Sequence, residues 1–128
     1  MKDKGLTRFS IKKRIKSFAY AISGIVQVIK TEHNFRIHIL IMVLVILFGF
    51  LLNVSIAEWV YIVFCIGIVL AAEIFNSAME VLTDLVSPRY NTKAKLVKDM
   101  AAGAVLVSAI AAVIVGLIIF VPKLLKYL

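Results

Sequence analysis

The stretch WVYIVFCIGIVLAAEIFNSAMEVLTDL, residues 59–85, is long and apolar enough to cross a lipid bilayer as a helix. Its second half nevertheless carries carboxylates and an amide, at Glu73, Asn76, Glu80 and Asp84. These positions stand at i, i+3, i+7 and i+11, so on a helix the four side chains project within roughly 80° of one another. A carboxylate inside hydrocarbon costs at least about 2.5 kcal/mol on insertion scales. Acids aligned at that cost indicate chemistry inside the membrane.

The composition of the chain is that of a membrane protein. Hydrophobic residues make up 62% of the 128 residues and charged residues 17%, compared with about 45–50% and 25% in soluble domains. Three apolar segments approach or exceed the roughly 20 residues that a spanning helix needs, at about 37–54, 59–82 and 101–121. Too little polar chain remains to cover these segments in a soluble core. The sequence therefore predicts an all-α membrane protein with residues 1–128 in one domain.

The basic residues behind the net charge of +8 are unevenly distributed. Of the 15 Lys and Arg residues, nine precede the first span, four lie between the second and third spans, and the connection 53–58 has none. Because cytoplasmic segments are enriched in Lys and Arg, we expect the N-terminus and the 85–99 loop to be cytoplasmic. Lys123 and Lys126, near the C-terminus, are a mild exception. This distribution indicates topology and attraction to anionic lipid and argues against a nucleic-acid partner.

The segment of about residues 8–34 has a pattern of its own. Apolar residues from Phe9 to Ile29 recur roughly at helical spacing, and basic residues cluster at 12–16. Such a segment predicts an amphipathic interfacial helix lying along the cytoplasmic leaflet. An unspecialised membrane anchor is the alternative. The acidic turn at Glu32, at the mouth of the first span, favours a functional segment.

Polar groups from three segments are expected at one level of the membrane. Glu32, Glu80 and Lys98 each lie where a different segment reaches the cytoplasmic side. Mg²⁺ prefers oxygen ligands and is often held by one or two carboxylates together with substrate phosphates, and a lysine can neutralise phosphate. Glu73 lies deeper, where it could act as a general base on the hydroxyl of a membrane lipid.

The sequence lacks the usual nucleotide-binding motifs of soluble kinases. It has no GxxxxGK[ST] loop, no GxGxxG opening a helix, and no HRD or DFG element. His33 and His38 are interpreted as interfacial hydrogen-bonding residues in preference to metal ligands. Cys65 stands alone in the second span and is interpreted as a small apolar filler in preference to a redox group. A nucleotide would thus bind here on an unusual scaffold.

Three motifs carry a resemblance to a known family. They are EHNFR at 32–36, AEIFNSAME at 72–80 with Asp84 following, and KDMAAGAVL at 98–106. In this order they closely resemble the small bacterial integral-membrane diacylglycerol kinases, a family that includes the undecaprenol kinases. The match extends over nearly the whole chain, and the pattern E-x-x-N-S-A-x-E followed by K-D before the third span is specific.

The resemblance implies an architecture, a reaction and a set of site residues. The architecture is a helical-bundle homotrimer with sites between subunits, in the cytoplasmic membrane of a bacterium. The reaction uses ATP and Mg²⁺ to phosphorylate a membrane lipid alcohol, with Glu73 as the catalytic base, Asn76 beside it, and Glu32 and Glu80 on the metal. The nucleotide site is implied to comprise Lys13, Lys16, Tyr20, Glu32, Glu80, Arg89, Tyr90, Asn91, Lys98 and Asp99, and the lipid site Phe35, Arg36 and Glu73.

The identity of the lipid is less sharply marked. The D-L-x-S-P stretch at 84–88 and the run KDMAAGAV at 98–105 look more like the undecaprenol-kinase branch than the diacylglycerol-specific one. Both lipids present one primary hydroxyl at the interface, so composition does not separate them. The resemblance favours undecaprenol, with diacylglycerol as the alternative.

Two other classes of protein fit part of the pattern. Intramembrane carboxylates also occur in small proton-coupled transporters and ion channels. A transmembrane pathway would distribute polar groups through the bilayer, whereas the acids here cluster toward one surface, and the third span has almost nothing polar beyond Ser108. A purely structural membrane protein would give Glu73 no reason for its position. The sequence thus favours the kinase.

Overall fold

A computed structural model describes residues 8–128 of the chain as four helices. These are α1 (Ile11–Thr31), α2 (His33–Leu51), α3 (Ile56–Val86) and α4 (Thr92–Leu125). The described part of the chain contains no strand. Helices α2, α3 and α4 are each long and apolar enough to cross a membrane. The prediction of an all-helical chain with three candidate membrane spans is confirmed for the described residues.

Helices α3 and α4 extend beyond the apolar segments because polar side chains cap their first turns. Ser55 Oγ accepts a hydrogen bond from the Glu58 N–H at 3.2 Å, while the Ser55 N–H donates to Glu58 Oε2 at 2.7 Å. At the start of α4, Asn91 Oδ1 accepts from the N–H groups of Lys93 and Ala94 at 2.8 and 3.3 Å. The reciprocal Ser55–Glu58 cap satisfies two backbone N–H groups that have no hydrogen-bond partner within the helix. The segment 92–99, expected as part of a loop, is therefore helical, and only residues 87–91 separate the two helices.

The central unit of the fold is the α3–α4 hairpin. Helix α3 packs along α4 far more extensively than it packs on α2. Near the 52–55 turn, Val54, Ile62 and Ile119 form a small buried cluster. At the same end Lys123 Nζ lies 3.0 Å from Glu58 Oε2, which joins the last turns of α4 to the first turn of α3. Most other large apolar side chains of the protomer are exposed, as a surface in contact with lipid requires.

Helix α2 comes close to the first turn of α3 at Gly49. A Cβ atom placed on this residue would lie 2.5 Å from Cη2 and 2.9 Å from Cζ2 of Trp59. The Trp59 ring also packs against Phe50, with ring centroids 4.9 Å apart and planes tilted by 49°. Glycine is thus required here by the space that the indole occupies, and the contact fixes the α2–α3 turn.

Helix α1 is joined to α2 through a single non-helical residue, Glu32 (φ −100°, ψ 112°). Helix α1 touches both α2 and α3, with Val28 as its only buried side chain among the described residues. On the far side of the joint, Phe35 is 2% exposed and anchors the start of α2. The remaining apolar side chains of α1 are exposed in the protomer. Lys2 and Lys4, part of the basic N-terminal cluster, lie outside the described residues.

Candidate active site

Glu73 is the deepest charged residue of the site and one of the most enclosed side chains in the protomer. It lies on α3 and is 4% exposed. Its Oε1 lies 3.0 Å from Nε2 of His38 on α2. One turn along α3, the Ser77 hydroxyl donates to the Glu73 carbonyl oxygen at 3.1 Å. The carboxylate therefore lies at the α2–α3 contact with one oxygen beside an imidazole nitrogen.

Glu73 faces a groove of about 240 Å³ that three helices line. Helix α2 contributes Asn34 and His38, and α4 contributes a wall of small and apolar side chains that includes Ala102, Val105 and Ala109. A second groove of about 220 Å³ continues from His38 between α2, α3 and α4 and is lined almost entirely by apolar side chains. The carboxylate thus lies where a polar headgroup and an apolar chain could occupy adjoining spaces.

Asn76 lies one turn from Glu73 on the same face of α3. Its Oδ1 is buried and, within residues 8–128, has no hydrogen-bond partner. An unsatisfied buried acceptor of this kind costs about 1–3 kcal/mol. Such an atom is a candidate for contact with a substrate or with a group from another chain.

The next acids along α3 lie toward the 87–91 loop. Glu80 is half-buried, and within the described residues no ion pair involves its carboxylate. Asp84 is exposed and forms an ion pair with Lys98 of α4. This ion pair joins the last turn of α3 to the start of α4. The structure thus brings together polar residues that the sequence placed on two different helices.

The other predicted nucleotide residues are distributed over α1, the 87–91 loop and the first turns of α4. Lys13, Lys16 and Tyr20 are exposed on α1, and Asp99 pairs with Lys95 on its own helix. Arg89 and Tyr90 are exposed in the loop, while the Asn91 side chain caps α4. None of these side chains makes a hydrogen bond to Glu73 within the described chain. One protomer therefore presents these groups separately and does not enclose a nucleotide.

The other residues predicted for the metal and the lipid, apart from Glu73 and Glu80 of α3, lie at the α1–α2 joint. Glu32 is half-buried, and its Oε1 accepts from the Thr31 hydroxyl at 3.3 Å. Phe35 is packed inside the protomer, and Arg36 beside it is exposed. The described residues contain no cluster of three or more His, Cys, Asp or Glu side chains that could hold a metal ion. The carboxylate oxygens of Glu32 and Glu80 suit Mg²⁺ when phosphate oxygens complete the coordination.

Sequence reasoning missed the contact between His38 and Glu73. His38 was expected to form interfacial hydrogen bonds, but nothing in the pattern of α2 identified its partner. Counting residues along the two helices from the 52–55 turn would not have done so either, because the distances of His38 and Glu73 from that turn differ by more than one helical turn. At about 1.5 Å per residue these distances are about 20 and 26 Å.

Comparison with known proteins identifies the class of this chain. The family described as prokaryotic diacylglycerol kinase matches residues 19–120. An undecaprenol kinase of Bacillus subtilis is 41% identical over 117 residues, which cover 91% of this chain and 95% of the relative. A diacylglycerol kinase of Synechocystis sp. is 41% identical over 111 residues, which cover 86% of this chain and 63% of that relative. The chain belongs to the prokaryotic diacylglycerol kinase family.

Membership confirms three of the expectations from sequence. The protein is a lipid kinase of the membrane, its phosphate donor is ATP, and its phosphate acceptor is a lipid. The transporter and structural-protein alternatives are thereby set aside. The same relatives confirm the family resemblance that the three motifs indicated.

Proposed function

We propose that this protein phosphorylates undecaprenol to undecaprenyl phosphate, using ATP with Mg²⁺. The observation that carries the proposal is the enclosed Glu73 carboxylate, which faces a groove adjoining an apolar one. The undecaprenol kinase of Bacillus subtilis supports this lipid, because it aligns over almost its full length. The diacylglycerol kinase of Synechocystis sp. supports diacylglycerol as the second candidate at the same site.

The proposed reaction begins at the lipid hydroxyl. Glu73 accepts the hydroxyl proton as the oxygen attacks the γ-phosphorus of ATP, and the bond from that phosphorus to the ADP oxygen breaks, with ADP keeping the electron pair. Asn76 acts beside the base: its unpaired Oδ1 or its amide N–H groups orient the acceptor or the transferred phosphoryl group. The burial of Glu73 and the unpaired oxygen of Asn76 support these two roles.

The phosphates and the metal are assigned to residues nearer the 87–91 loop. Mg²⁺, when bound, would neutralise charge on the ATP phosphates, and Glu32 and Glu80 are the residues that would hold it. The half-burial of both carboxylates, and the lack of an ion pair at Glu80 among the described residues, support this assignment. Lys98, whose ammonium group pairs with Asp84, would contribute positive charge near the phosphates. The rest of the proposed nucleotide site comprises Lys13, Lys16, Tyr20, Arg89, Tyr90, Asn91 and Asp99, and Phe35 and Arg36 are proposed to contact the lipid.

The proposed orientation places the N-terminus and the 87–91 loop in the cytoplasm, in the inner membrane of a bacterium, with residues 1–128 as one domain. Helix α1 would lie in the cytoplasmic interface. Its exposed apolar side chains, such as Phe9, Ile15 and Phe18, together with its Lys and Arg residues, support this placement. ATP would then reach the site from the cytoplasm and the lipid from within the bilayer.

A homotrimer with sites between subunits is the proposed assembly. The Glu73 groove is open on the surface of a single protomer, and the predicted nucleotide residues do not enclose a ligand within one chain. Small side chains on the exposed faces would allow close helix packing, including Ala71, Ala78, Ala102 and Ala104. A second protomer covering the groove would keep Glu73 away from lipid tails.

Transfer of radiolabelled phosphate from Mg-ATP, with the purified protein in micelles, tests the proposed function. Undecaprenol and diacylglycerol are supplied separately and together. We expect label in undecaprenol, with a smaller amount in diacylglycerol. Label in diacylglycerol alone would overturn the choice of lipid, and label in neither would overturn the proposed reaction.

The variant that tests the base assignment is Glu73→Gln, which preserves the shape of the side chain and an oxygen that can accept a hydrogen bond from His38. Because general-base catalysis contributes about 10²–10⁴-fold, we expect transfer to fall by at least about 100-fold. If the variant keeps its oligomeric state and its lipid binding, the lost activity lies in the phosphate-transfer step. Full transfer in this variant would remove the base assignment.

A further inference from the structure

Glu73 has one side-chain partner within the described residues, and that partner lies on another helix. His38 Nε2 is 3.0 Å from Glu73 Oε1, and no other side chain among residues 8–128 donates to this carboxylate. The His38 side chain is 23% exposed and lines both grooves. The other side chains of the second groove are apolar apart from Cys65 and offer Glu73 no competing donor.

A single hydrogen-bond donor on one oxygen affects both the orientation of a carboxylate and which of its oxygens can accept a proton. The terminal torsion of a glutamate is broad, so an unconstrained carboxylate rotates through many orientations. Nε2 of histidine donates both in the neutral Nε2–H tautomer and in the imidazolium form. With Nε2 at 3.0 Å from Oε1, an Nε2–H donated to that oxygen would restrict the carboxylate torsion and leave Oε2 available to accept another proton. The groove side of the pair, beside Asn34 and Ala102, is where a substrate hydroxyl would have to lie.

We propose that His38 is a positioning residue that orients Glu73 for proton abstraction, an inference that rests on the proposed function. His38 holds Oε1, and Oε2 is the atom that receives the proton of the lipid hydroxyl. The competing explanation is purely structural: the pair would only tie α2 to α3, whose packing is less extensive than that of α3 on α4. The two explanations differ in which kinetic constant changes and in whether a neutral donor suffices.

Two variants of His38 separate these explanations. His38→Leu removes the donor and keeps a side chain of moderate size, whereas His38→Gln keeps an N–H group near the position of Nε2. His33→Gln is the matched control, because His33 is exposed on the first turn of the same helix. Each protein is assayed for kcat and for KM toward lipid and ATP, and its thermal unfolding in micelles is recorded.

We expect His38→Leu to lower kcat by about 10–100-fold, since misplacing a reacting group by about 1 Å can cost that much. KM for either substrate should change by less than about threefold, and unfolding should shift little. His38→Gln should recover kcat to within about fivefold of the parent, and His33→Gln should match the parent. Either a kcat within twofold of the parent in His38→Leu, or a His38→Gln variant as impaired as His38→Leu, would overturn the proposal. The proposal would also be overturned if the fall in activity of His38→Leu were fully explained by a smaller amount of folded protein.

The test also distinguishes failure of this inference from failure of the proposed function. If the parent protein transfers no phosphate to either lipid, the proposed function fails, and the positioning role of His38 is overturned with it. If the parent is active and His38→Leu is equally active, the function stands and the positioning role is wrong.

Discussion

Replacing Asn76 with leucine should make the protein more stable and less active. Asn76 Oδ1 is buried without a hydrogen-bond partner in the described chain. Leucine has nearly the same shape as asparagine and no polar atom, so Asn76→Leu removes the unsatisfied group without opening a cavity. The same change removes the amide that is proposed to act beside Glu73.

The size of the stability gain follows from that one atom. An unsatisfied buried acceptor costs about 1–3 kcal/mol, and exchanging it for an apolar group of similar shape recovers that cost. The amide nitrogen loses its own hydration in the same change, which offsets part of the gain. We therefore expect the free energy of unfolding to rise by about 1 kcal/mol, while kcat falls by at least about tenfold.

Stability is measured by equilibrium unfolding in mixed micelles of increasing denaturing detergent, followed by the fluorescence of Trp59. Trp59 is the only tryptophan of the chain, and it packs at the α2–α3 turn, away from the substitution. Asn34→Leu is the matched control, because Asn34 lines the same groove but is exposed. Its free energy of unfolding should stay within about 0.5 kcal/mol of the parent.

A loss of stability in Asn76→Leu of 1 kcal/mol or more would refute the reasoning. It would mean that Oδ1 has a partner in the folded protein, supplied by another copy of the chain or by lipid. Unchanged kcat with increased stability would separate the two claims: the unpaired oxygen would be real, but the amide would have no part in phosphate transfer.

Two further predictions concern the metal and the α2–α3 turn. Glu80→Gln should raise the Mg²⁺ concentration needed for half-maximal transfer by about tenfold, because one carboxylate ligand is lost; an unchanged Mg²⁺ dependence would contradict the proposed role of Glu80. Gly49→Ala should lower the free energy of unfolding by about 1–3 kcal/mol, since its methyl group would lie 2.5 Å from the Trp59 ring. Far-ultraviolet circular dichroism during unfolding measures this loss, and the double variant Gly49→Ala with Trp59→Leu should recover most of it if the clash is its cause.

The three long apolar helices could be predicted because a helix that crosses a bilayer needs about 20 apolar residues. Three apolar segments of about 20 residues have few other uses, and they become α2, α3 and α4. The helix ends could not be predicted from hydropathy, because caps decide them. Asn91 begins α4 well before its apolar part, so the segment expected as the loop 85–99 is mostly helix.

The site could be predicted only within single helices. The spacing of Glu73, Asn76, Glu80 and Asp84 depends on one helix and its period, so the sequence contains it. The contacts of Glu73 with His38, and of Asp84 with Lys98, depend on the register between helices. No local periodicity encodes that register. It follows from side-chain packing such as that of Gly49 on Trp59, which becomes visible only once the helices are placed.

The one-residue joint at Glu32 has a mechanical consequence. Because no other residue between α1 and α2 is non-helical, any change in the angle between α1 and α2 must be absorbed by the φ and ψ torsions of Glu32 and its immediate neighbours. Such a rotation would swing the carboxylate proposed to hold the metal. If α1 lies on the membrane surface as proposed, bilayer thickness and surface charge would thereby act on the proposed metal ligand, and the surrounding lipid would affect the activity through this one joint.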